Sequence, residues 1–435
     1  MSFQQGLSGL NASSSGLDAI GNNVANSSTV GYKGSNAHFS SVYAASLNGG
    51  AGSQVGIGAT VSSVFQQFTQ GNITTTANSL DLAINGGGFF KVSRDSAASY
   101  TRNGQFHTNK DGYIVNDQGY QLLGYPPAAN GTVVVADPVP IKIDTSNISP
   151  RATGTADGGP ARVVMNLNSG DAAHTTGTPP AVTLVPFSAT DPTTYNYSTS
   201  MTVYDTMGAK HTVALFFQKT LTDGQWDAYA TLDGDTVTTD GDPSTQASLG
   251  SLTFDNSGQL DPANQTLALP STADWAVTTG AVSPIGTGLP YWNIDFSGTT
   301  SFAGSSTVTT MRQGGYAQGT LTSLSVGADG VIQGNYSNGQ TRDLAQVVLT
   351  TFANPNGLLN LGNNLWQATA ESGEAMDGAP GDGARGVLQS KAIEESNVDL
   401  TSELVNMITL QRNYQANAQT IKTQDSIMQT LVSMR

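Results

Sequence analysis

The 435-residue chain contains no cysteine, and only 11% of its residues are charged. Without cysteine it cannot form a disulfide, a thiol nucleophile or a thiolate metal site. No run of about 18 consecutive apolar residues occurs, so the sequence predicts no transmembrane helix and no membrane insertion. Because no basic residue precedes Lys33, the first residues do not resemble a cleavable secretory signal peptide.

The charge that is present is acidic and lies in the middle of the chain. Of the net charge of −15, residues 71–386 carry −14, residues 387–435 carry −1, and residues 1–70 are neutral. Binding a phosphate backbone needs clustered Lys and Arg, so this balance argues against nucleic acid as a partner. The two ends of the chain therefore differ in composition from its middle.

The C-terminal segment is the clearest helix in the sequence. Residues 387–435 contain neither Gly nor Pro, although the chain holds 50 and 17 of them. Apolar or aromatic residues recur there at alternating steps of four and three, the spacing of a coiled-coil seam. Asn397 or Asp399 can cap the start of this helix. The predicted seam consists of Leu400, Leu404, Met407, Tyr414, Ala418, Ile421, Met428 and Val432.

The N-terminal segment shows the same spacing less regularly. Its glycines each cost about 1 kcal/mol in a helix interior relative to alanine, so this helix needs a partner. One interpretation is that both terminal helices cover a local core. The other is that they pair with each other and with neighbouring copies, forming an assembly interface. The N-terminal seam would be Phe3, Leu7, Leu10, Leu17 and Val24, with Ile20 beside it.

Between the ends, short apolar alternations at period two predict strands separated by tight turns. They include Val213, Leu215 and Phe217, followed by Trp226, Ala228, Ala230 and Leu232. The predicted fold class is mainly β, with nested, discontinuous β domains in the middle of the chain. The long terminal helices are expected to pair in a coiled-coil-like manner in an assembled polymer.

Shifts in composition divide the chain into four parts. Residues 1–70 form an N-terminal helix and an extended connector that pairs with residues 367–435, the second connector and the C-terminal helix. Residues 71–145 and 296–366 form one discontinuous β domain. Residues 146–295 form a second β domain inserted into it, entered through a Thr-, Pro- and Gly-rich stretch that is typical of a linker.

The sequence offers little site chemistry. Four scattered histidines lack ligand spacing, and no nucleophile or phosphate-binding motif is present. The tract from Asp233 to Asp242 has the carboxylates and glycines of a Ca²⁺ site but not EF-hand spacing, which favours a solvated hairpin. We predict no catalytic, cofactor-binding or metal-binding residues. A hydrolase that uses paired carboxylates is the enzyme alternative.

Several segments resemble the flagellar rod and hook axial protein family. The first is LSGLNASSSGLDAIGNNVANSSTVGYKGS (Leu7–Ser35), and the last is ESNVDLTSELVNMITLQRNYQANAQTI (Glu395–Ile421). Between them, three early segments and one late segment are similar to the family's β blocks. These are SLDLAINGGGFFKV (Ser79–Val92), YTRNGQF (Tyr100–Phe106), DGYIVNDQGYQLLGYP (Asp111–Pro126) and residues 328–369. Their colinear order is more specific than any one segment.

The resemblance implies an extracellular structural subunit and no enzyme or cofactor. The long insert favours the hook members, which form a curved tube that transmits torque from the rod to the filament. The resemblance also implies a set of partners: other copies of the chain, the rod, the hook cap, the hook–filament junction proteins and the flagellar export apparatus. It further implies export that needs no cleavable signal peptide. A distal rod-type axial protein is one alternative. A secreted β-rich adhesin or glycan-binding protein is the alternative from another class.

Overall fold

The computed structural model describes residues 2–42, 56, 58–127, 133–154, 161–236, 248–268 and 293–433. The chain divides into two units. Unit 1 comprises Met1–Thr145, Thr322–Asn335 and Thr341–Arg435, and unit 2 comprises Ser146–Leu321 and Tyr336–Gln340. Unit 2 is therefore almost entirely an insertion within the chain of unit 1.

Two α-helices occur in the described residues, α1 at Ser2–Ala25 and α2 at Leu400–Ser433. The Asp399 carboxylate accepts a hydrogen bond from the Thr401 N–H at 2.9 Å, so Asp399 and not Asn397, the other candidate from the sequence, caps α2. The fold class predicted from the sequence, strands between two terminal helices that pair with each other, is confirmed.

The first part of unit 1 consists of short strands joined by tight turns. They are β1 (Ser35–Val42), β2 (Gly58–Gln66), β3 (Ile73–Thr75), β4 (Leu82–Asn85), β5 (Phe89–Arg94), β6 (Ala97–Thr101), β7 (His107–Thr108), β8 (Ile114–Val115), β9 (Gln121–Tyr125) and β10 (Val139–Pro140). Gly112 and Gly119 have φ angles of 84° and 81°, which explains why Asp-Gly and Gln-Gly pairs stand at two of these turns.

Unit 2 contains most of the longer strands. They are β11 (Ala161–Asn166), β12 (Thr175–Thr176), β13 (Thr183–Leu184), β14 (Tyr197–Tyr204), β15 (Lys210–Lys219), β16 (Gln225–Leu232), β17 (Asp235–Thr236), β18 (Gly250–Thr253), β19 (Thr266–Ala268), β20 (Asn293–Asp295) and β21 (Thr307–Arg312). One sheet has the order β19-β20-β11-β21, and another contains β14-β15-β16-β17 with β18 beside β16. Val163, Phe217 and Trp226 from the two sheets share one fully buried core, which makes unit 2 a β-sandwich.

The period-two alternation predicted in this region is confirmed. Val213, Leu215 and Phe217 on β15 are buried, and Trp226, Ala228, Ala230 and Leu232 on β16 face the same core. The turns fall at residues 205–209 and 221–224, between these strands.

The chain enters and leaves unit 2 along a paired stem. Ile148 bridges Gly319 and Arg151 bridges Tyr316, with the Arg151 guanidinium 4.8 Å from the Tyr316 ring. The Thr-, Pro- and Gly-rich stretch predicted as a linker is therefore paired with the returning chain at Ile148 and Arg151. The structure places residues 296–321 with unit 2, whereas the sequence predicts its end at residue 295. The reason is that β21 pairs with β11 and Phe296 lies in the sandwich core.

The returning chain completes unit 1. Its strands are β22 (Leu321–Val326), β23 (Val331–Tyr336), β24 (Thr341–Val347), β25 (Leu349–Thr351), β26 (Leu359–Gly362), β27 (Leu365–Gln367), β28 (Met376–Gly378), β29 (Val387–Ser390) and β30 (Ala392–Glu394). In the largest sheet, β24 pairs with β9 and β27 pairs with β6, so the early strands β9, β5 and β6 lie between two groups of late strands. β3 with β30 and β4 with β29 form two further early–late pairs.

A half-buried tyrosine makes unit 2 sensitive to alkaline pH. Burial, together with the nearby Asp227 carboxylate, raises the pKa of Tyr229 to about 12, against about 10 in an unfolded chain. The folded state holds this proton more tightly, so its stabilising contribution is complete below pH 10 and is lost as the pH rises from about 10 to 12. Tyr229→Phe should reduce the fall in the unfolding midpoint of unit 2 across that interval. An identical fall in both proteins would contradict this assignment.

Candidate assembly interface

The two terminal helices lie side by side and antiparallel. Near the end of α1, the Asn23 side chain donates a hydrogen bond to the Glu403 carboxylate near the start of α2, at 3.3 Å. Near the start of α1, Gly6 faces Ile421 near the end of α2. The intermediate contacts keep this order: Gly9 with Asn417 and Gly16 with Leu410.

The face of α1 that meets α2 is made largely of small residues. We call it the contact stripe of α1, and its members recur at alternating steps of three and four: Gly6, Gly9, Ser13, Gly16, Ile20 and Asn23. A Cβ atom at Gly16 would lie 2.8 Å from Leu410 Cδ1 and 3.3 Å from Phe39 Cζ. These glycines therefore allow a close approach of the helices that a larger side chain would prevent.

The contact stripe of α2 is larger and includes polar groups. The residues that contact α1 are Glu403, Leu410, Asn417 and Ile421. Ile421 lies 3.1 Å from the position that a Gly6 Cβ would occupy, so this predicted seam residue packs within its own chain. Burial and the Glu403 carboxylate raise the pKa of Tyr32, and its hydroxyl lies 3.3 Å from Asn23 Oδ1 beside the stripe.

Some residues of the two predicted seams are buried or half-buried, and the others are exposed to solvent. Ile20 is buried on the contact stripe of α1. The half-buried members are Leu10, Leu17, Val24, Met407, Ala418 and Ile421, and the exposed members are Phe3, Leu7, Leu400, Leu404, Tyr414, Met428 and Val432. Whether these residues contact neighbouring subunits stays a prediction.

Sequence reasoning treated the α1 glycines only as a helix cost and missed their role in packing. The signal was present, because the glycines at 6, 9 and 16 and the residues at 13, 20 and 23 keep the same three–four spacing as the apolar residues. Small residues add little to a hydrophobic pattern, so the apolar seam one position further along the chain gives the stronger signal.

Two apolar surfaces of α2 lie outside the helix pair. The first, here called the outer flank, contains Leu400, Leu404, Val405 and Ile408, all of them exposed. The second continues the contact stripe beyond Ile421 to Met428 and Val432, which are 61% and 74% exposed. In the antiparallel register, the first described residue of α1 lies level with about residue 425 of α2. Met428 and Val432 therefore extend beyond the described part of α1.

A two-stranded ribbon, β1 with β2, flanks α1. Its register shifts between His38 and Phe39, and Phe39, Val64 and Phe65 remain exposed. An open groove of about 440 Å³ between α1 and β2 is lined by polar side chains that include Ser8. A second groove of about 480 Å³ is bordered by α1, β1 and α2.

The described residues provide no metal centre. None of their His, Asp and Glu side chains form a group of three or more able to hold a metal ion. His211 is buried and hydrogen-bonded to Asp233 at 2.7 Å. Most of the acidic tract up to Asp242 lies outside the described residues. Neither described helix has the length and hydropathy needed to cross a membrane.

A larger side chain in the contact stripe of α1 should separate the helix pair. Gly16→Val places two methyl groups against Leu410 and Phe39, so hydrogen exchange of the backbone amides in α1 should become faster. Gly21→Ala is the control, because nothing lies within 4 Å of its added Cβ. That control should stabilise α1 by about 1 kcal/mol. Equal exchange in the two variants would show that close approach is unimportant.

Four family models match the chain in sequence order. They are the flagella basal body rod protein at residues 3–33, the flagellar hook protein FlgE/F/G D1 domain at 83–156, the flagellar basal body protein FlaE D2 domain at 166–316, and the flagellar basal body rod FlgEFG protein C-terminal at 389–434. The first and last matches contain most of α1 and α2, and the third lies within unit 2.

Full-length relatives agree with the family models. The chain is similar to the flagellar hook protein FlgE of Salmonella typhimurium, with 40% identity over 439 residues, and to that of Escherichia coli, with 40% identity over 441 residues. Both alignments cover 100% of this chain and 100% of the relative. The crystal structure of Helicobacter pylori flagellar hook protein FlgE2 aligns with a TM-score of 0.47 and 14% identity, covering 74% of this chain and 100% of that chain.

Proposed function

The chain belongs to the flagellar hook protein family, and we propose that it polymerises into the curved, flexible tube of the hook. In that tube it acts as a universal joint, transmitting torque from the rod to the filament while the tube bends. Head-to-tail contacts that do not close into a ring generate such helical polymers.

The apolar surface left on α2 after it pairs with α1 carries the assembly proposal. Ile408, at the C-terminal end of the outer flank, is 50% exposed, and Val432 at the far end of the helix is 74% exposed. Apolar patches of this kind on a soluble chain are typical of protein–protein contact sites. We propose that neighbouring copies cover both surfaces in the tube.

Other members of the flagellum complete the proposed set of partners. The rod at the base of the tube, the cap at its growing end and the hook–filament junction proteins would each contact this chain, and the flagellar export apparatus would deliver it. The proposed location is the extracellular hook of the basal body. The proposed role is structural and needs neither catalysis nor a cofactor.

Electron microscopy of the purified chain under polymerising conditions tests this function. We expect tubes of uniform diameter with helical order, formed above a critical concentration. A chain that stays monomeric under all such conditions, or that binds glycans saturably through residues 71–366, would favour the adhesin alternative instead.

A further inference from the structure

Three buried charged side chains meet where the terminal helices join the strands of unit 1. Lys33 lies on the connector that follows α1, Glu394 ends β30 six residues before α2, and Arg102 follows β6. We call these residues the junction cluster. Their side chains are 0%, 0% and 3% exposed, in that order.

The Glu394 carboxylate uses both of its oxygens in the cluster. Oε1 accepts hydrogen bonds from Lys33 Nζ at 2.6 Å and from the Gly71 backbone N–H at 2.9 Å. Oε2 accepts one from Arg102 Nη1 at 3.2 Å. The Glu394 backbone carbonyl also accepts a hydrogen bond from the Gly31 N–H at 2.7 Å. One residue therefore binds three separate segments of the chain.

The two cations reach further segments. Lys33 Nζ donates to the Thr69 carbonyl at 2.6 Å, on the chain that returns from the ribbon. Arg102 Nη2 donates to the Gly86 carbonyl at 2.9 Å, in the turn between β4 and β5. Each of these bonds has a required direction, so the cluster specifies one relative position of the segments that it joins.

Two asparagines hold the adjacent backbone in the same way. Asn23 Oδ1 accepts a hydrogen bond from the Ser35 N–H at 2.8 Å, and Asn23 Nδ2 donates to the Ser35 carbonyl at 2.9 Å. Asn397 Oδ1 accepts from the Gly34 N–H at 2.8 Å, and its amide donates to the Gln67 carbonyl at 2.7 Å. The start of β1 is thus fixed from the α1 side and from the α2 side.

Stability alone does not account for these charges. Burial lowers the pKa of Lys33 and the pKa of Arg102, an effect that Glu394 opposes in both cases. Burying two cations with one anion is costly, and well-packed apolar residues often stabilise a fold equally well or better. Apolar contacts, however, lack the directionality of these hydrogen bonds.

We propose that the junction cluster, together with Asn23 and Asn397, is a directional lock that holds the base of the helix pair in one orientation against the strands of unit 1. Its effect on the free chain is independent of assembly. Its consequence for the tube rests on the proposed function: bending is excluded from this junction and occurs elsewhere in the subunit.

Spin-label distances in the dilute monomer test the lock without requiring polymerisation. Because the chain has no cysteine, labels can be placed uniquely at Gln411→Cys on α2 and Lys110→Cys near β7, both of them exposed positions. In this background, Lys33→Met/Arg102→Met/Glu394→Met replaces the charges with side chains of similar length. The distance distribution should become about twofold wider, with the thermal midpoint nearly unchanged.

A control and a second variant make the result decisive. Lys91→Met/Asp377→Asn removes a less buried ion pair of unit 1 and should leave the width unchanged. Asn397→Ala alters no charge and should widen the distribution even if the triple variant fails to fold. An unchanged width in either folded variant would overturn the proposal, whether or not the thermal midpoint falls. Failure to form tubes, by contrast, would overturn only the proposed function.

Discussion

Ile408→Asp is expected to abolish tube formation while leaving the monomer folded. In the monomer this side chain is 50% exposed, so the new carboxylate remains in water, and the free energy of unfolding should change by no more than about 0.5 kcal/mol. In the tube a neighbouring copy would cover it, and an unpaired buried carboxylate costs about 3 kcal/mol. A cost of that size raises the critical concentration about a hundredfold. Sedimentation and electron microscopy measure this directly.

The matched control is Asn413→Asp, which adds the same charge with almost no change in shape. Asn413 is also exposed on α2, but at about 100° per residue it lies about 140° around the helix from Ile408. It should assemble at nearly the parent critical concentration. If both variants assemble alike, the outer flank is not a subunit contact. If Ile408→Asp lowers the thermal midpoint of the monomer, the flank is covered within the chain.

Trp226→Ala is expected to destabilise unit 2 by about 3–5 kcal/mol. Trp226 is fully buried in the sandwich core, and replacing such a side chain with alanine costs about 3–5 kcal/mol through lost burial and the remaining cavity. Scanning calorimetry should show the unit 2 transition at a lower temperature. The unit 1 transition should stay in place, because the mutated core belongs to unit 2 alone.

Leu221→Ala provides the comparison for the core variant. Leu221 lies in the turn between β15 and β16 and is exposed, so its truncation should change the free energy of unfolding by about 0.5 kcal/mol or less. A single calorimetric transition that moves as a whole in Trp226→Ala would contradict the independence of the two units.

The strands of unit 2 were predictable because one physical signal determines them. A strand with one buried face must alternate, and residues 226–232 do so in sequence. In residues 213–217 the alternate positions Val213, Leu215 and Phe217 enter the core, although Phe216 between them is also apolar and buried. The end of unit 2 was harder to place. β21 carries an exposed and intermediate burial pattern with no strong alternation, so only its pairing with β11 reveals where it belongs.

The sequence predicts both terminal helices, but it does not predict which face of α1 packs against α2. On α1 two stripes share the three–four spacing, and the apolar one has the stronger hydrophobic signal. Packing instead selects the small one, because Gly6 and Gly16 let α2 approach closely. The sequence pattern is equally consistent with a contact between subunits at Ile421. In the structure, Ile421 packs against Gly6 of its own chain.

The junction cluster left almost no trace in the sequence. Lys33 and Arg102 lie in two of the segments that carry the family resemblance, but neither segment indicates a pairing with Glu394. Glu394 lies 361 positions after Lys33 and 292 positions after Arg102. A local pattern cannot predict a pairing over such separations, because it arises only when the strands between them have formed.

The antiparallel helix pair can form only late in the synthesis of the chain. Asn23 is made near the beginning, yet its helix-to-helix partner Glu403 follows 380 residues later. Until then the glycine-rich α1 lacks the surface that compensates for its weak helix propensity. The paired helices therefore arise among the last events of folding. A partly synthesised chain that still lacks α2 therefore cannot present the finished helix pair.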